Sequence, residues 1–323
     1  MMMNRRSWVL RSLAAAAFGL PGAGSAQTYP SRPIRLVVPF PPGSTGDLVP
    51  RTLAQKVQAA VGQPVVIDNR PGAAGAIGTD AVAKALADGY TLLSHASTVV
   101  IQPQLVKAPF DVLADLVPIT QTIAGSYVLV VNPAFPAGTL GEWLEVVRRH
   151  PGRFNYASYG SGSGPHLAME MLKQQAGLFI VHVPFRGAAP AMQELLAGRV
   201  EMAFDTSVAV MPHLRSGKLK AIAVGGPRPL EALPGIPTVA SLYPDFDSDG
   251  WQGVFAPAGT PAEVIARLNT EFVRAVRSPE FVRQMADLGF TAVGSSPAEF
   301  AAFVKAEHAK FGRLIRERGI KPD

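Results

Sequence analysis

The sequence contains no cysteine. This absence excludes disulfide bonds, thiolate ligands for a metal, a cysteine nucleophile and a lipid anchor on an N-terminal cysteine. Charged residues are also few, at 17% of the 323 residues, whereas hydrophobic residues make up 48%. Such a composition favours a globular protein over a disordered one. The length suits two domains of about 100–200 residues each.

Several sequence fingerprints of other functions are missing. The nucleotide-binding pattern G-x-x-x-x-G-K-[ST] does not occur, and Pro165 replaces the last glycine of a G-x-G-x-x-G pattern that begins at Gly160. The six histidines lack the short spacings of zinc sites. Lysine and arginine form no cluster long enough to follow a phosphate backbone. We therefore expect no metal, no cofactor and no nucleic-acid partner.

Residues 1–26 are typical of an export signal. Arg5, Arg6 and Arg11 provide a basic start, the apolar stretch SLAAAAFGL follows, and small residues lead to Ala26. The apolar stretch is about half of the roughly 20 residues that span a bilayer, and no later stretch is long and apolar enough. The segment RRSWVL also resembles a twin-arginine signal, so the export route stays open. We expect cleavage near Ala26 and a mature protein in the periplasm.

Short runs rich in β-branched residues alternate with amphipathic segments along the remaining chain. This alternation predicts an α/β fold with two sheets covered by helices. Helix starts are predicted where Ser or Thr precedes Glu by three residues, at Thr139, Thr260 and Ser296. The predicted strands are Ile34–Phe40, Val65–Asp68, Tyr90–His95, Tyr127–Asn132, Phe154–Ser158, Phe179–Phe185, Val200–Asp205, Leu219–Gly225 and Gly253–Pro257.

Two segments without helical periodicity, Leu116–Asn132 and Asp245–Phe255, are candidates for crossings between domains. Two crossings make the first domain discontinuous. We therefore predict a first lobe from residues 27–124 and 252–323, and a second lobe from residues 125–251. A cleft between two such lobes is a common position for a small ligand.

Loops rich in glycine or serine follow two of the predicted strands. In the first loop, Gly43 and Gly46 permit a sharp turn before a helix that Asp47 or Thr45 can begin. Exposed N–H groups at such a helix start attract anions, although a plain turn capped by Asp47 explains the same residues. The second loop suits a carboxylate or phosphate, but equally a solvated connection. It contains Ser158, Gly160, Ser161, Gly162, Ser163 and Gly164.

Two more strand ends are expected at the same edge as these loops. One carries Arg186, which either neutralises a ligand charge or lies on the surface. The other carries Asp205. Together with His166 and Ser161 or Ser163, Asp205 has the residue types of a hydrolytic triad, but the nucleophile-elbow pattern G-x-S-x-G is absent. A secreted serine hydrolase is therefore the alternative to a binding protein.

Seven segments, in order along residues 28–323, carry a resemblance to a known family. They are YPSRPIRLVVPFPPGSTGD, GQPVVIDNRPGAAGAIGTDAVAKALADGYTLL, NYASYGSGSGPHLA, VHVPFRGAAPAMQELLAGRVEMAFD, PHLRSGKLKAIAV, LPGIPTVA and FAPAGTP. They resemble the extracytoplasmic solute receptors of the tripartite tricarboxylate transporter system, the Bug family. The resemblance implies a type II periplasmic binding protein of the flytrap type, with two Rossmann-like lobes that close on a small carboxylate.

The resemblance also implies a set of ligand-binding residues. Family members hold the ligand carboxylate with backbone amides, hydroxyls and water at the strand-end loops. Ser44 departs from the family, which usually has a second glycine there, and Thr206 departs because asparagine is common at that position. The matching positions are Phe40, Gly43, Ser44, Asp47, Ser158, Gly160, Ser161, Ser163, His166, Pro184, Phe185, Arg186, Gly187 and Asp205.

The expected partners follow from the same resemblance. We expect a monomer that binds a small organic carboxylate. It then delivers the ligand to membrane transporter subunits or signals its presence to a sensor kinase, and the sequence does not separate these two roles. We also expect the hydroxyls of Ser161 and Ser163 to contact the ligand and to have no structural role.

Overall fold

The structure, a computed structural model, describes residues 29–322. The predicted export signal and its cleavage near Ala26 lie outside the described residues. The strands are β1 (Ile34–Val38), β2 (Val65–Asn69), β3 (Thr91–Ala96), β4 (Leu116–Gly125), β5 (Tyr127–Val131), β6 (Asn155–Ser158), β7 (Val181–Pro184), β8 (Met202–Thr206), β9 (Lys220–Val224), β10 (Gly250–Pro257) and β11 (Thr291–Ala292).

Helices connect most of these strands, and 3-10 turns lie at Ala73–Gly75 and Val239–Ser241. Among the described residues, no helix has the length and apolar content needed to cross a membrane. The helices are α1 (Thr45–Val61), α2 (Ala76–Ala83), α3 (Thr98–Leu105), α4 (Val112–Asp115), α5 (Leu140–Arg149), α6 (Gly164–Ala176), α7 (Ala188–Leu196), α8 (Ser207–Arg215), α9 (Ala262–Val276), α10 (Pro279–Asp287) and α11 (Pro297–Arg318).

One sheet has the strand order β11-β4-β10-β3-β1-β2. Strands β1, β2 and β3 are parallel, and Leu36 of β1 lies opposite Ile67 and Leu92. β10 runs antiparallel between β3 and β4. Four of the five residues of β1 are buried, which explains its nearly continuous apolar sequence. We call this sheet and the helices that pack on it the first lobe.

The other sheet has the order β7-β6-β8-β5-β9, and we call it and its helices the second lobe. β6, β7 and β8 are parallel, whereas β5 runs antiparallel to β8 and β9. The chain changes sheet at Ser126 and again before Gly250. Gly125, Gly250 and Trp251 pair within the first sheet, although the sequence assigns them to the second lobe. The residue boundaries of the two lobes stay a prediction.

All nine predicted strands are confirmed, with small shifts at their ends. The sequence missed β4 and β11. β4 contains Pro118 and the polar residues Thr120 and Gln121, so it shows neither alternation nor a continuous apolar run. Its pairing with β10 shifts register beside Pro118, where a missing N–H is tolerated. β11 has only two residues, too few for any pattern.

Two of the three predicted helix starts are confirmed. Before α5, the hydroxyl of Thr139 accepts a hydrogen bond from the N–H of Glu142, and the Glu142 carboxylate accepts one from the N–H of Thr139. Ser296 and Glu299 form the same reciprocal pair before α11. Each pair satisfies two backbone donors that a helix start leaves without partners.

The prediction for Thr260 is wrong. Its hydroxyl donates to the carbonyl of Pro257 at 2.8 Å instead of capping a helix. Pro261 has an extended backbone, with ψ at 141°, and occupies the N-cap position of α9. The helix therefore begins one residue later than the capping pattern predicts, at Ala262.

The largest buried cluster extends across both lobes. It includes Val37 and Leu93 of the first sheet together with Trp143 and Phe204 of the second lobe. Helix α11 packs on α3 in the first lobe and on α6 in the second. The lobes therefore share part of one core along α6 and α11.

Candidate functional site

The carboxyl ends of parallel strands meet at one edge of each sheet. In the first lobe, this edge carries the segments after β1, β2 and β3. In the second lobe, it carries the segments after β6, β7 and β8. β4 ends and β10 begins at the same edge, so both crossings between the lobes adjoin it. Edges of this kind are the usual position of ligands in open α/β sheets.

Asp47 holds the loop after β1 in place. It is buried, and its carboxylate accepts hydrogen bonds from the N–H of Gly43 at 2.9 Å, from Arg51 at 2.8 Å and from Asn69 at 2.8 Å. Burial alone raises the pKa of Asp47, but these hydrogen bonds outweigh it and keep the pKa below its ordinary value. The N-cap of α1 is Ser44 and not Asp47. Direct contact between Asp47 and a ligand stays a prediction.

The other residues predicted in this loop differ in exposure. The ring of Phe40 is half-buried and meets the ring of His95 edge-on, with centroids 5.3 Å apart. Gly43 is exposed, and its φ of 79° favours glycine. The hydroxyl of Ser44 donates to the carbonyl of Pro41 at 2.7 Å. The N–H of Gly43 and the hydroxyl of Ser44 are therefore engaged within the loop, whereas Phe40 faces β3.

The loop after β6 is closed by its own serines. Ser158 is buried, and its Oγ lies 2.6 Å from Nε2 of His182 and 3.1 Å from the N–H of Gly160. The hydroxyl of Ser163, the N-cap of α6, donates to the carbonyl of Gly160 at 2.7 Å. The expectation that Ser163 has no structural role is therefore wrong, because its hydroxyl closes the turn. Ser161 is half-buried between these residues.

Two stacked imidazole rings are hydrogen-bonded to this loop. The rings of His166 and His182 are 3.9 Å apart with an interplanar angle of 6°, and Tyr156 stacks on His182 at 4.9 Å. Nδ1 of His166 accepts a hydrogen bond from the N–H of Gly162 at 2.9 Å. A ring nitrogen that accepts carries no proton, so His166 is neutral in this arrangement and its proton is on Nε2.

A hydrolytic triad with His166 and Asp205, the predicted alternative, is not assembled. The carboxylate of Asp205 accepts hydrogen bonds from the hydroxyl of Tyr159 and from the N–H of Thr206. Nδ1 of His166, the atom that a triad carboxylate orients, is occupied by the N–H of Gly162. Asp205 therefore fixes the loop through Tyr159.

The segment after β7 lies on the outermost strand of the second sheet. Pro184 is exposed, and the N–H of Phe185 donates to the carbonyl of Ser158 at 3.0 Å. Gly187, with φ at 113°, is the N-cap of α7. Arg186 is exposed and makes no ion pair within residues 29–322. This segment adjoins the Ser158 loop, and the role of Arg186 toward a ligand stays a prediction.

A buried carboxylate, Asp205, and a half-buried one, Asp249, lie near the crossings between the lobes. Burial raises the pKa of Asp205 to about 6, although hydrogen bonds from Tyr159 and Thr206 oppose the rise. Burial also raises the pKa of Asp249, just before β10, to about 6. Both side chains therefore become charged in the folded protein only at a higher pH than in the unfolded chain.

Replacing Asp249 with asparagine is expected to raise the free energy of unfolding near pH 7.5 by about 1–3 kcal/mol. The folded pKa lies above the unfolded one, so the folded state binds more protons between about pH 4 and pH 6. The contribution of Asp249 to stability therefore falls as the pH rises through this window. An uncharged asparagine avoids that loss, so the two proteins should be equally stable near pH 3.5.

Thermal and denaturant unfolding across this pH range measures the difference. The matched control is Asp245→Asn, on the exposed part of the same turn, which should leave stability unchanged at every pH. A difference between Asp249→Asn and the parent protein that does not vary with pH contradicts the prediction.

The loop after β6 touches the first lobe through Gly162. This glycine is buried with φ at 76°, and a Cβ there would overlap Cδ1 of Leu105 and lie 3.6 Å from Nε2 of Gln102. Gln102 lines a cavity of about 350 Å³ between α3 and the turn after β2. His95, which contacts the ring of Phe40, lines the same cavity. The loops of both lobes therefore contact residues that line this cavity.

The residues that form this cavity are not among the ligand-binding residues predicted from the sequence. They include the turn Ala73–Gly75, His95 and Thr98, which follow β2 and β3. A signal for them was present, because NRPGAAG comes directly after the predicted strand Val65–Asp68. The rule that selected the loop after β1 applies equally to this glycine-rich turn.

The chain matches a known family over most of its length. The profile of TctC, described as the tripartite tricarboxylate transporter family receptor, matches residues 49–320. The chain belongs to the TctC family. Protein BugT of Bordetella pertussis is similar, with 38% identity over 99% of both chains. The resemblance inferred from the sequence is thus confirmed.

Two solved structures are also similar to this TctC family member. Rpa4515 of R. palustris, solved with adipate, is 31% identical, covers 91% of this chain and 100% of its own, and gives a TM-score of 0.78. MatC from Rhodopseudomonas palustris, solved with bound malate, is 29% identical, covers 89% of this chain and 100% of its own, and gives 0.73. The predicted fold, two α/β lobes of a type II periplasmic binding protein, is confirmed.

Membership of the TctC family also decides between receptor and enzyme. Proteins of this family are solute-binding receptors, and the chain is a receptor and not an enzyme. The serine hydrolase alternative is therefore wrong, in agreement with the hydrogen bond from the N–H of Gly162 that occupies Nδ1 of His166.

Proposed function

We propose that this receptor captures a small organic carboxylate between its lobes and delivers it to a membrane transporter of the tripartite tricarboxylate type. The observation that carries the proposal is the contact between the lobes at Gly162, in the loop after β6, and Leu105 of α3, next to a cavity that Gln102 of the same helix lines. Rpa4515 and MatC, which share its fold, were solved with the dicarboxylates adipate and malate.

The residues at this edge suit a carboxylate. The first N–H groups of the helices that begin there carry partial positive charge. Within residues 29–322, six such helices have eight residues or more, and they begin after Ser44, Gly75, Ser97, Ser163, Gly187 and Thr206. The hydroxyls of Ser44 and Ser163 already donate within their loops, so N–H groups at the helix starts are the proposed donors to the carboxylate, and Arg186 is the cation of the predicted set. The fourteen residues predicted from the sequence, with Gly162 added, are the proposed binding set.

Binding is expected to shift an equilibrium between open and closed lobes. A ligand favours the closed form only by the extra contacts that it makes there. The loop after β6 makes such contacts when it approaches α3, and Ser126 and Gly250 lie where the chain crosses between the sheets. We also propose export with cleavage near Ala26, a periplasmic location and a monomeric state. Signalling through a sensor kinase is the competing role.

Thermal unfolding with a panel of carboxylates tests the proposal. At a ligand concentration 100 times the Kd, stabilisation of about 2.7 kcal/mol is expected. The panel contains mono-, di- and tricarboxylates, each paired with its neutral amide as a control. The protein is first unfolded mildly and refolded, which removes any ligand carried from the host. Equal shifts with acids and amides, or no shift with any acid, contradict the proposal.

A further inference from the structure

The cavity beside the two loops has mainly apolar walls. One face of α3 lines it from Thr98 to Val106, which corresponds to about 12 Å along a helix axis. The opposite side is the turn Ala73–Gly75 with the start of α2, and Phe110 closes one end. A cavity of about 150 Å³ is sufficient for benzene, so about 350 Å³ accommodates a larger ring system or a branched chain.

The two strand-end loops of the proposed carboxylate site pack against residues that line this cavity. Phe40, in the loop after β1, contacts the ring of His95, and Gly162, in the loop after β6, lies against Gln102. Both His95 and Gln102 line the cavity. A carboxylate held by these loops therefore lies next to the cavity, which offers space for the rest of the ligand.

Two polar atoms of the cavity lining, one on Thr98 and one on His95, have no hydrogen-bond partner within residues 29–322. The hydroxyl of Thr98 is buried without a hydrogen bond among the described residues. His95 is buried, and its Nδ1 lies 3.0 Å from the carbonyl of Ala96, which can only accept, so Nδ1 carries the proton. Nε2 is then a bare acceptor, next to Gly75, where a Cβ would lie 2.6 Å from it. Burial lowers the pKa of His95 to about 4, so the ring stays neutral near pH 7.

The charges around the cavity disfavour a second carboxylate inside it. Asp80 lines the wall and is paired with Lys84 at 2.6 Å. The neutral ring of His95 presents a lone pair, which repels an anion. Lys107 is the one cation in the lining, and it is exposed to solvent. An anionic group deep in the cavity would therefore lose its hydration without gaining a buried cation.

We propose that the receptor selects monocarboxylates with a bulky apolar body, aromatic or branched, in preference to short di- and tricarboxylates. The inference rests on the proposed function. The loops hold the carboxylate, and the apolar body fills the cavity along α3 and displaces water from its walls. A donor group on the body finds its acceptor at Nε2 of His95.

Calorimetric titration of the purified, ligand-stripped protein tests this selectivity. The probes are acetate, benzoate, 2-naphthoate, succinate, adipate, citrate and benzyl alcohol. Burial of one ring is expected to make benzoate bind about 100-fold more tightly than acetate, and naphthoate at least as tightly as benzoate. The three di- and tricarboxylates should bind more weakly than benzoate.

A variant with a filled cavity tests whether the apolar body of the ligand occupies it. Val106 is 42% exposed at its rim, with an extended backbone that accepts tryptophan, so Val106→Trp should fold normally. The variant is expected to weaken benzoate and naphthoate at least tenfold and to leave acetate unchanged. The control is Val66→Trp, at a 52% exposed position on β2 outside the cavity, which should change no affinity.

The results distinguish failure of the selectivity inference from failure of the proposed receptor function. Tighter binding of succinate, adipate or citrate than of benzoate overturns the inference while the carboxylate receptor stands. Benzoate binding that is unchanged in Val106→Trp also overturns it. Benzyl alcohol binding as tightly as benzoate, and weakened by Val106→Trp, supports the cavity and contradicts the carboxylate receptor. Absence of binding by every probe overturns both.

Discussion

Replacing Glu170 with glutamine is expected to lower the free energy of unfolding by about 3–5 kcal/mol. Glu170 of α6 is 5% exposed and accepts hydrogen bonds from Tyr156 at 2.7 Å, from Lys173 and from Arg318 at 2.8 Å. Lys173 is itself 6% exposed, so glutamine leaves a buried ammonium group without a counter-charge. An unpaired buried charge is more destabilising than the loss of the pair as a whole.

The same contacts connect the two lobes. Arg318 belongs to the last turn of α11 in the first lobe, whereas Glu170 belongs to the second. Burial alone raises the pKa of Glu170, but the hydrogen bonds from Lys173, Tyr156 and Arg318 keep the pKa below its ordinary value. This stabilisation is fully present when the pH is above the pKa of Glu170 in the unfolded chain. It is lost as the pH falls through the pKa of Glu170 in the folded protein, which is lower.

Denaturant unfolding at neutral pH measures the effect, with two companion variants. Glu170→Gln/Lys173→Met removes both charges, keeps an acceptor for Tyr156 and should recover most of the lost stability. Glu145→Gln, in a pair with Arg149 whose side chains are 68% and 75% exposed, should cause no measurable change. If the double variant is no more stable than Glu170→Gln, an unpaired lysine is not the cause.

The fold could be predicted from the sequence because most strands have a recognisable pattern of apolar residues. β1 and β5 are buried, β-branched runs, and the serines and prolines before the helices mark where each strand has ended. β4 escaped because its apolar residues are interrupted by Pro118 and Thr120, and it is held by pairing with β10 and β11. A strand that is stabilised mainly by pairing with its neighbours shows only a weak strand pattern in its own sequence.

The candidate site was predictable as a set of loops but not as a set of contacts. Parallel strands bring their carboxyl ends together, so the loops that contain Asp47 and Ser163 could be placed at one edge. Whether such a side chain faces a ligand or its own loop depends on backbone angles that residue types do not specify. Asp47 bonds the N–H of Gly43, and Ser163 bonds the carbonyl of Gly160. The cavity lies between α3 and the turn after β2, and although NRPGAAG marks that turn, no local motif predicts that α3 lies beside it.

Replacing Gly162 with alanine is expected to weaken binding of the tightest carboxylate in the panel by about 30- to 1000-fold. The φ of 76° puts this residue in the left-handed region, where a side chain is disfavoured by roughly 1–2 kcal/mol. The added methyl group would also overlap Leu105, which holds the loop and α3 apart. The open form then becomes more stable relative to the closed form, and the ligand loses contacts with one lobe.

Shortening the opposing side chain separates these two effects. In Gly162→Ala/Leu105→Ala the overlap is removed, so affinity should recover to within about tenfold of the parent protein, the remainder reflecting backbone strain. The control is Gly141→Ala on the exposed face of α5, where no atom lies within 4 Å of the new Cβ. It should leave affinity unchanged and slightly raise the unfolding temperature, because alanine favours a helix. Unchanged affinity in Gly162→Ala, or no recovery in the double variant, would mean that the loop after β6 and α3 do not meet when the ligand is bound.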